Sequence, residues 1–457
     1  MRLRSVFTLL VPALAVGAVG QATGIFKAAR RTTPPASERA WREGEVIVAF
    51  RPEVALREVE DTLRAGGVVR ARAARTEPRY LVSLPAGGSV PDAVSHFRRQ
   101  RAVDYAEPNG IVRKSQGRTF TPNDEFFHFQ WNMELLDAER TWAIQKGLPT
   151  VGVAVLDTGA AYEDYTDPVT GQVFARAPDW GNVTFLPGWD AVNKDDHPND
   201  DEWHGTHVAS TIAEGTDNLI DLAGLAFGCA IMPVKVLDEE GEGTFFEVAD
   251  GIDYAVNFTE GGERPIKVIN MSLGTDGYSE AVKRAVDRAA ANGIVLVAAA
   301  GNTSSPGIDF PARLPNVIAV GAVDARGERA SYSSTGAELE FVAPGGDCDR
   351  DDNSDGFGDC VYQQMPDFEF VREGIHTQFC PCGLDGTSMA SPHVAAAAAL
   401  LISQGITDPE AVRAALQQTA RKIGGAPEDG RNDDVGYGLI QPAAALSGLG
   451  LNQGPDR

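Results

Sequence analysis

The sequence contains little cysteine and few basic residues for its size. Only 5 of its 457 residues are cysteine, so the fold is not built on a disulfide framework, although its compartment could still be oxidising. Lys and Arg number 40 against 64 Asp and Glu, a formal net charge of −24, which argues against a nucleic-acid partner because phosphate binding needs a basic surface. A composition of 43% hydrophobic and 23% charged residues excludes disordered, collagenous and multi-span membrane proteins. We expect two or three globular domains.

Long apolar runs are absent except at the N-terminus. Residues 1–20 combine Arg2 and Arg4 with an apolar stretch and a small-x-small pattern that ends at Gly20. This combination is typical of a secretory signal peptide, and the run is too short for a confident membrane span, which needs about 20 residues. An uncleaved anchor helix is the alternative. We expect secretion to the extracellular space or periplasm, no membrane attachment after signal removal, and a linker over residues 21–41.

Residues 42–114 have the pattern of a small α+β domain. Strand-like and helix-like stretches alternate as β-α-β-β-α-β over about 70 residues, which is the ferredoxin-like order. The position of this unit, ahead of a catalytic-looking body, suggests a propeptide. Residues 1–114 carry a net charge of +8 and the remainder −32, so the two parts should attract each other. Two unrelated surfaces are the alternative interpretation.

From residue 150, buried-looking strands alternate with helical stretches. The strands are predicted at 151–157, 230–237, 267–273, 293–300 and 316–323, and the helices between them at 246–258 and 279–292. Strands that are apolar on both faces predict an α/β fold, in which a parallel sheet is covered by helices on both faces. The active site of such a sheet lies at the carboxyl ends of its strands.

Three residues in such positions can form a nucleophilic site. Asp157 follows a strand, His204 opens the motif HGTHVAS, and Ser388 lies at the start of a long helical run. A serine hydroxyl needs a nearby base to remove its proton and a carboxylate to orient that base. Taken singly, these residues are as well explained by a turn, a structural histidine and a helix N-cap.

The motifs around these residues resemble those of the subtilisin-like serine proteases. VAVLDTG, HGTHVAS and GTSMASPHVA occur in the family's order, together with PVKVL, VINMSLG and AAAGN, and the resemblance covers most of residues 119–446. Residues 44–113 resemble the family's inhibitory prodomain more weakly. The resemblance implies a catalytic domain over 119–447, a short tail over 448–457, and a monomeric serine endopeptidase made as a self-processing zymogen. Its partners are then protein or peptide substrates and its own prodomain, and its reaction proceeds through an acyl-enzyme.

The resemblance also implies roles for individual residues. Ser388 is the nucleophile, His204 the general base and Asp157 its orienting partner. Asn302 and the backbone N–H of Ser388 stabilise the oxyanion. The second histidine of HGTH, His207, is expected to be structural.

Substrate preference depends on the walls of the primary specificity pocket. The resemblance places Ser272, Leu273 and Gly274 on one wall and Ala299 and Gly301 on the other. Asp309 aligns with the pocket base, where the family commonly has glycine, so a carboxylate there would favour Lys or Arg before the scissile bond. Matching sequences occur in the junction at Arg113-Lys114-Ser115 and Arg118-Thr119. The alternative is that Asp309 points away and the enzyme is broad.

Acidic clusters suggest structural calcium, since this ion takes six to eight oxygen ligands. The candidates are Asp190, Asn193, Asp195 and Asn199, whose spacing resembles a calcium loop of family relatives, with charge added by Asp196, Asp200 and Asp201. A second set, Asp351, Asn353, Asp355 and Asp359, follows the D-x-N-x-D-G spacing but lacks the terminal Glu, so its affinity should be modest. A third, weaker site by resemblance uses Asp179 and Asn218. A solvated acidic loop is the alternative for the first set.

The remaining residues narrow the choice of function. Cys348 and Cys360 bracket the second acidic loop and are expected to pair, whereas Cys380 and Cys382 are expected to bridge poorly to each other and Cys229 to be a free thiol. The sequence contains no HExxH spacing, which would indicate a zinc site, and no catalytic cofactor is expected. An esterase would need a G-x-S-x-G elbow and a different residue order. The remaining alternative is a catalytically inactive secreted binding protein on the same fold.

Overall fold

The computed structural model describes residues 41–74, 77–110, 119–352, 354, 356–427 and 430–448, which form two compact units. The predicted signal peptide, the junction that holds Arg113 and Lys114, and the calcium candidates Asn353 and Asp355 lie outside the described residues. Within the described part, no helix has both the length and the apolar character needed to cross a membrane.

The N-terminal unit has the predicted order of elements. Its strands and helices, in chain order, are β1 (Trp41–Phe50), α1 (Leu56–Ala65), β2 (Arg70–Ala73), β3 (Arg79–Ser83), α2 (Val90–Arg98) and β4 (Val103–Gly110). The strands form an antiparallel sheet in the order β2-β3-β1-β4. Val46, Val48 and Val82 from the sheet and Phe97 from α2 are fully buried in one small core. The predicted ferredoxin-like α+β fold is confirmed.

The larger unit contains the remaining elements. Its strands are β5 (Gly152–Asp157), β6 (Tyr165–Thr166), β7 (Val173–Phe174), β8 (Thr184–Phe185), β9 (Trp189–Asp190), β10 (Ala230–Lys235), β11 (Ile266–Met271), β12 (Val295–Ala299), β13 (Val317–Val323), β14 (Leu339–Pro344), β15 (Val361–Pro366) and β16 (Phe379–Leu384). Its helices are α3 (Trp131–Leu135), α4 (Ala138–Trp142), α5 (His204–Ala213), α6 (Phe245–Asn257), α7 (Glu280–Ala291), α8 (Phe368–Val371), α9 (Thr387–Ser403), α10 (Pro409–Thr419) and α11 (Pro442–Leu446).

The main sheet of this unit is parallel and runs β14-β13-β12-β11-β5-β10-β8, with β9 also paired to β10. Helices α5 and α9 pack together against it, and α6 and α7 form a second packed pair. Strands β5, β10, β12, β13 and β14 are buried at every residue. This burial explains their continuous apolar runs, because a parallel strand covered on both faces cannot alternate apolar and polar residues. The predicted α/β fold is confirmed.

Strands β15 and β16 form an antiparallel hairpin between the acidic loop and α9. Cys348 and Cys360, just before the hairpin, are joined by a disulfide, as expected. Cys380 and Cys382 are joined to each other, so the expectation that they would pair poorly is wrong. Both lie on β16, where residues two apart project from the same face, and their Cα atoms are 5.2 Å apart. Cys229 is a buried free thiol, as expected.

Candidate active site

Asp157 and His204 meet at the carboxyl end of the sheet. Asp157 is the last residue of β5 and is fully buried, and His204 is the first residue of α5. His204 Nδ1 lies 2.7 Å from Asp157 Oδ1, which also accepts the Thr158 N–H at 2.8 Å. The carboxylate therefore fixes the orientation of the imidazole ring through Nδ1, and Nε2 takes no part in this contact.

The start of α5 is held by Thr158 and Asp200. Thr158 Oγ1 accepts the Gly205 N–H and donates to Asp200 Oδ1, while Asp200 Oδ2 accepts the Thr206 N–H. Asp200 is fully buried, and its oxygens satisfy N–H groups that a helix start leaves unpaired. Asp200 therefore positions His204 through the helix, a role that its place in an acidic run concealed.

Ser388 is the second residue of α9. Its Oγ donates to the Ser272 carbonyl at 3.1 Å, so in this arrangement the hydroxyl faces the end of β11. Pro392 lies inside α9 and has no N–H to give to the Ser388 carbonyl four residues earlier. The Ser272 hydroxyl donates to that carbonyl at 2.7 Å instead. Each of these two serines therefore donates its hydroxyl to the backbone carbonyl of the other.

Asn302 follows β12 and is exposed. Its Oδ1 accepts both the Thr387 N–H at 2.9 Å and the Thr387 hydroxyl at 2.8 Å. The amide oxygen is thus turned toward the start of α9, which leaves the Nδ2 group as the donor on the other side. A Cβ placed on Gly386 would lie 3.4 Å from Asn302 Nδ2 and 3.6 Å from the Ser388 nitrogen, so the two N–H groups lie near each other.

A cleft of about 920 Å³ lies beside these groups. Glu202, His204, Ser272, Asn302 and Ser388 all border it. Leu273 and Gly274 form part of the same wall as Ser272, as expected, whereas Ala299 is buried at the end of β12. Among the described lining residues, Glu202, Glu240 and Glu242 are acidic and none is Lys or Arg. The cleft therefore favours cationic groups.

Asp309 lies between the two glycines of the predicted pocket walls. A Cβ on Gly301 would come within 2.5 Å of Asp309 Oδ2, and one on Gly274 within 2.9 Å of the Asp309 Cβ. The Asp309 N–H donates to the Ala300 carbonyl, and Phe310 pairs with Thr275 through two backbone hydrogen bonds. Burial raises the pKa of Asp309, although nearby Arg313 opposes this. Asp309 and Gly301 are not among the residues that line the cleft, whereas Gly274 and Phe310 beside them are.

Glu202 was not singled out from the sequence. It is 9% exposed, and its Oε2 accepts the His204 N–H at 2.8 Å. Burial raises the pKa of Glu202 to about 8, against the opposing effect of His204. Its sequence signal, one more acid in the run Asp200-Asp201-Glu202, resembles a solvated loop.

The pKa values of the two histidines of HGTH are shifted in opposite directions. Burial lowers the pKa of His204, but the charge and hydrogen bond of Asp157 outweigh it and raise the pKa to about 9. His207 is fully buried with Nε2 3.0 Å from the Val361 carbonyl, and burial lowers its pKa to about 3. His207 is thus a neutral packing residue.

The predicted calcium ligands at 190–199 are tied into the loop itself. Asp190 Oδ1 accepts the Val192 and Asn193 N–H groups, and Asp190 Oδ2 accepts Asn193 Nδ2. Asp195 Oδ1 accepts the His197 N–H, and Asn199 Nδ2 donates to Glu163. Burial raises the pKa of Asp190, but Lys235 opposes this with a positive charge. The loop thus supplies its own N–H donors to these oxygens, and the calcium site expected here stays a prediction.

In the second acidic loop, the described ligands take part in local hydrogen bonds. Asp351 Oδ2 accepts the Gly356 N–H at 3.2 Å, and the buried Asp359 accepts the Asp352 N–H at 2.7 Å. In the described part of the chain, no three His, Cys, Asp or Glu side chains come together closely enough to hold a metal.

The third candidate region gathers acidic groups near Asn218. Asn218 Nδ2 donates to Asp179 Oδ1 at 2.6 Å, and the Asn218 N–H donates to Asp124 at 3.0 Å. Burial raises the pKa of Asp124, Asp179, Glu214 and Asp221. Among the described residues, none of these four forms an ion pair with Lys or Arg. The oxygens of Asp124 and Asp179 accept N–H groups of the segment 217–222, and the calcium site expected at Asp179 and Asn218 stays a prediction.

Comparisons of sequence and structure with known proteins agree on the proteins that this chain is similar to. Residues 149–438 match the model of the subtilase family, and residues 27–109 match that of the fervidolysin N-terminal prodomain. The chain is 36% identical over 389 residues to a thermophilic serine proteinase of Bacillus sp. (strain AK1), covering 84% of both proteins. It is 33% identical over 393 residues to an extracellular protease of Xanthomonas campestris pv. campestris, covering 77% of this chain and 63% of that protein. A solved protease structure from Pseudoalteromonas arctica PAMC 21717 matches with a TM-score of 0.58 and 29% identity, covering 72% of this chain and 99% of that one.

Proposed function

Because this chain belongs to the subtilase family of serine proteases and carries a prodomain, we propose that it is a secreted endopeptidase made as a self-processing zymogen. The observation that carries the proposal is the contact between Asp157 and His204 on one side of a cleft that Ser388 also lines. Secretion is supported by the signal-like residues 1–20 and by the extracellular relative.

In the first half of the proposed reaction, Ser388 is acylated. The hydroxyl leaves the Ser272 carbonyl and turns toward His204 Nε2, which takes its proton as Oγ bonds to the scissile carbonyl carbon. The carbonyl oxygen becomes an oxyanion that Asn302 Nδ2 and the Ser388 N–H stabilise. The C–N bond then breaks, the leaving amine takes the proton from Nε2, and an acyl-enzyme remains.

In the second half, water releases the product. His204 Nε2 takes a proton as the water oxygen bonds to the ester carbon. The bond to Ser388 Oγ breaks, Oγ regains the proton from Nε2, and the carboxylic acid leaves. Asp157 stabilises the imidazolium in both halves and keeps the ring in one orientation.

Substitution of the nucleophile tests this function. Ser388→Ala should leave an unprocessed precursor, with kcat lower by roughly 10⁶. Labelling of the wild type by a serine-directed fluorophosphonate, and its loss in the variant, distinguishes an enzyme from an inactive binding protein on the same fold. Self-processing by Ser388→Ala, or an unlabelled wild type, contradicts the proposal.

The organisation that we propose follows the sequence. Residues 1–20 are removed as a signal, 21–41 are a linker, 42–114 inhibit the cleft, 119–447 catalyse and 448–457 form a tail. Opposite net charges on the prodomain and the body support their attraction. N-terminal sequencing of the secreted product checks signal removal and self-cleavage together.

We also propose a preference for Lys or Arg before the scissile bond, carried by Asp309. Its side-chain oxygens accept no hydrogen bond and form no ion pair among the described residues. A Lys or Arg side chain that is buried at this point loses its hydration, and pairing with the Asp309 carboxylate offsets that cost. Peptide profiling in which Lys or Arg gives no gain over Phe or Leu contradicts this preference.

A further inference from the structure

We propose that Asp385 is a positioning residue for Ser388, which it holds in place by binding the turn before that serine to a loop closed by a disulfide. The nucleophile turn denotes residues 385–387, and the disulfide loop denotes residues 348–360. Asp385 is not among the described residues that line the cleft, so it acts only through the residues that follow it. The inference rests on the proposed endopeptidase function and adds a contact that sets the place of its nucleophile.

The nucleophile turn has little support of its own. Helix α9 begins at Thr387, and Gly386 in the N-cap position has no side chain to bond to the helix start. The Gly386 N–H instead donates to the Gly345 carbonyl at 2.9 Å, and the Gly345 N–H donates to Val323 at the end of β13. A Cβ on Gly345 would lie 2.8 Å from the Gly386 carbonyl oxygen, so the two backbones are in direct contact. The turn is therefore placed by the segment that follows β14.

Asp385 forms a second link between the same two segments. Its half-buried carboxylate accepts the Cys348 N–H through Oδ2 at 3.1 Å. Burial raises the pKa of Asp385, and this hydrogen bond opposes the shift because it stabilises the ionised form. A hydrogen bond from a backbone N–H to a carboxylate is charge-assisted and stronger than one between neutral groups. Asp385 thus fixes the nucleophile turn shortly before Ser388.

The disulfide loop fixes the Cys348 N–H in return. The Cys348–Cys360 disulfide joins its two ends, and beside it the Asp347 N–H donates to the Asp359 carbonyl at 2.9 Å. Closing a loop with a covalent bond removes conformations that the open loop would adopt. The backbone of Cys348 is therefore held in one place relative to Asp385.

The buried end of the disulfide loop is anchored to the rest of the larger unit. Cys360 is 4% exposed, and its carbonyl accepts Trp131 Nε1–H at 2.8 Å. A Cβ placed on Gly383 would lie 2.5 Å from Cys360 Cβ and 2.9 Å from its Sγ, so the disulfide packs directly against β16. Asp385 comes directly after β16. A continuous set of contacts therefore runs from the core through the disulfide to the turn that precedes Ser388.

Two substitutions of Asp385 test the hydrogen bond. With a fluorogenic peptide and the matured enzyme, Asp385→Ala should lower kcat at least about tenfold while KM changes less than about twofold, because a misplaced hydroxyl slows the chemical step. Asp385→Asn keeps an oxygen that can accept the Cys348 N–H and should retain kcat within about threefold. Wild-type kcat in Asp385→Ala, or an equal fall in both variants, overturns the inference.

Asp349→Ala is the matched control. It removes an exposed carboxylate from the same loop, where it is one of the negative charges that raise the pKa of Asp385. This variant leaves the contact between Asp385 and the Cys348 N–H in place, so it should keep the wild-type kcat. A fall in kcat equal to that of Asp385→Ala would assign the effect to the charge of the loop and contradict the role of the contact.

A double-mutant cycle tests the part played by the disulfide. Cys348→Ser combined with Cys360→Ser opens the loop and keeps the backbone N–H at position 348. This pair should lower kcat to about the same extent as Asp385→Ala, and all three substitutions together should lower it no further, because they act on one contact. An unchanged kcat in the open-loop variant, or effects that multiply in the combined variant, overturn the inference. Calorimetry gives the Tm of each variant, and kinetics measured well below the lowest Tm separate this coupling from a loss of stability.

Labelling by a fluorophosphonate separates failure of the inference from failure of the protease function. The labelling rate depends on the Ser388 hydroxyl and needs no bound peptide, so it should fall in Asp385→Ala in proportion to kcat. A labelled wild type with an equal rate in Asp385→Ala overturns the inference alone. A wild type that neither reacts with the probe nor cleaves any peptide overturns the protease function, and the inference with it.

Discussion

At the scale of single residues, we expect the ionisation of His204 to decide when the proposed site can act. A general base must be neutral to accept a proton, and the Asp157 carboxylate stabilises the charged imidazolium instead. Glu202 and Asp200 add to this effect and raise the pKa further. We therefore expect the proposed general base to work in alkaline rather than neutral conditions.

We expect kcat/KM to rise with pH until His204 is neutral. Its pKa of about 9 means that the inactive imidazolium predominates at lower pH, so the rate should increase about tenfold per pH unit below 8 and level off above 9. A pH–rate profile with a neutral peptide substrate measures this. A midpoint below pH 7 would contradict the stabilisation of protonated His204 by Asp157.

Some residue roles followed from sequence and others needed coordinates. Asp157, His204 and Ser388 stand in ordered motifs whose chemistry restricts their roles. Glu202 and Asp200 stand in a run of acids that resembles any solvated loop, and only their burial and hydrogen bonds separate them from it. Asp309 was predicted from its place in a segment, and the glycines around it explain why a carboxylate fits there.

At the scale of elements, α9 depends on β11 for one of its own hydrogen bonds. Pro392 removes the N–H that would have bonded to the Ser388 carbonyl, and Ser272 replaces it. Asn270 supports this serine by donating to its hydroxyl, and it accepts the Ser391 hydroxyl in turn. Ser388, the proposed nucleophile, is thus positioned by a chain of contacts from strand to helix.

Ser272→Ala should therefore affect both stability and turnover. It leaves the Ser388 carbonyl without its donor, so we expect a loss of about 1–2 kcal/mol in unfolding free energy and a larger fall in kcat than change in KM. Denaturant unfolding and peptide kinetics measure the two effects. Ser403→Ala, which removes a hydroxyl at the far end of the same helix, is the control. Equal stability losses in the two variants contradict the proposed role of Ser272.

The predictability of elements depended on their burial. Strands buried on both faces have apolar runs and were predicted to within a few residues, as for β5, β10 and β13. The two-residue strands β8 and β9 are too short to give a pattern. Hairpin strand β15 contains Gln363 and Gln364, which are fully buried because they hydrogen-bond to neighbouring segments. No periodicity in the sequence reveals such a strand.

At the scale of the whole molecule, uncompensated negative charge remains a central feature. The body carries −32 by sequence, and Asp124, Asp179, Glu214 and Asp221 are near one another without an ion-paired cation among the described residues. The predicted calcium at Asp179 and Asn218 would neutralise part of this charge and stabilise the folded state. The spacing of the acidic residues also predicts calcium at 190–199 and at 351–359, and those two sites stay predictions.

Removal of calcium should therefore lower thermal stability. A concentration about 1,000-fold above Kd stabilises by about 4 kcal/mol, so we expect Tm to fall by roughly 10 °C in EDTA. Asp179→Asn and Asp190→Asn, measured side by side, show which of the two predicted sites carries this calcium response. Calorimetry with and without calcium measures both, and an unchanged Tm in EDTA argues against a structural ion.

The crowded position of Asp309 limits which substitutions can alter the proposed substrate specificity. Gly301 has a φ of +110° and no room for a side chain, and Gly274 is pressed against the same carboxylate. Both flanking positions are thus closed to substitution, while the carboxylate between them is replaceable. We therefore expect a change of specificity at this point to come from substitution of Asp309 rather than of either glycine.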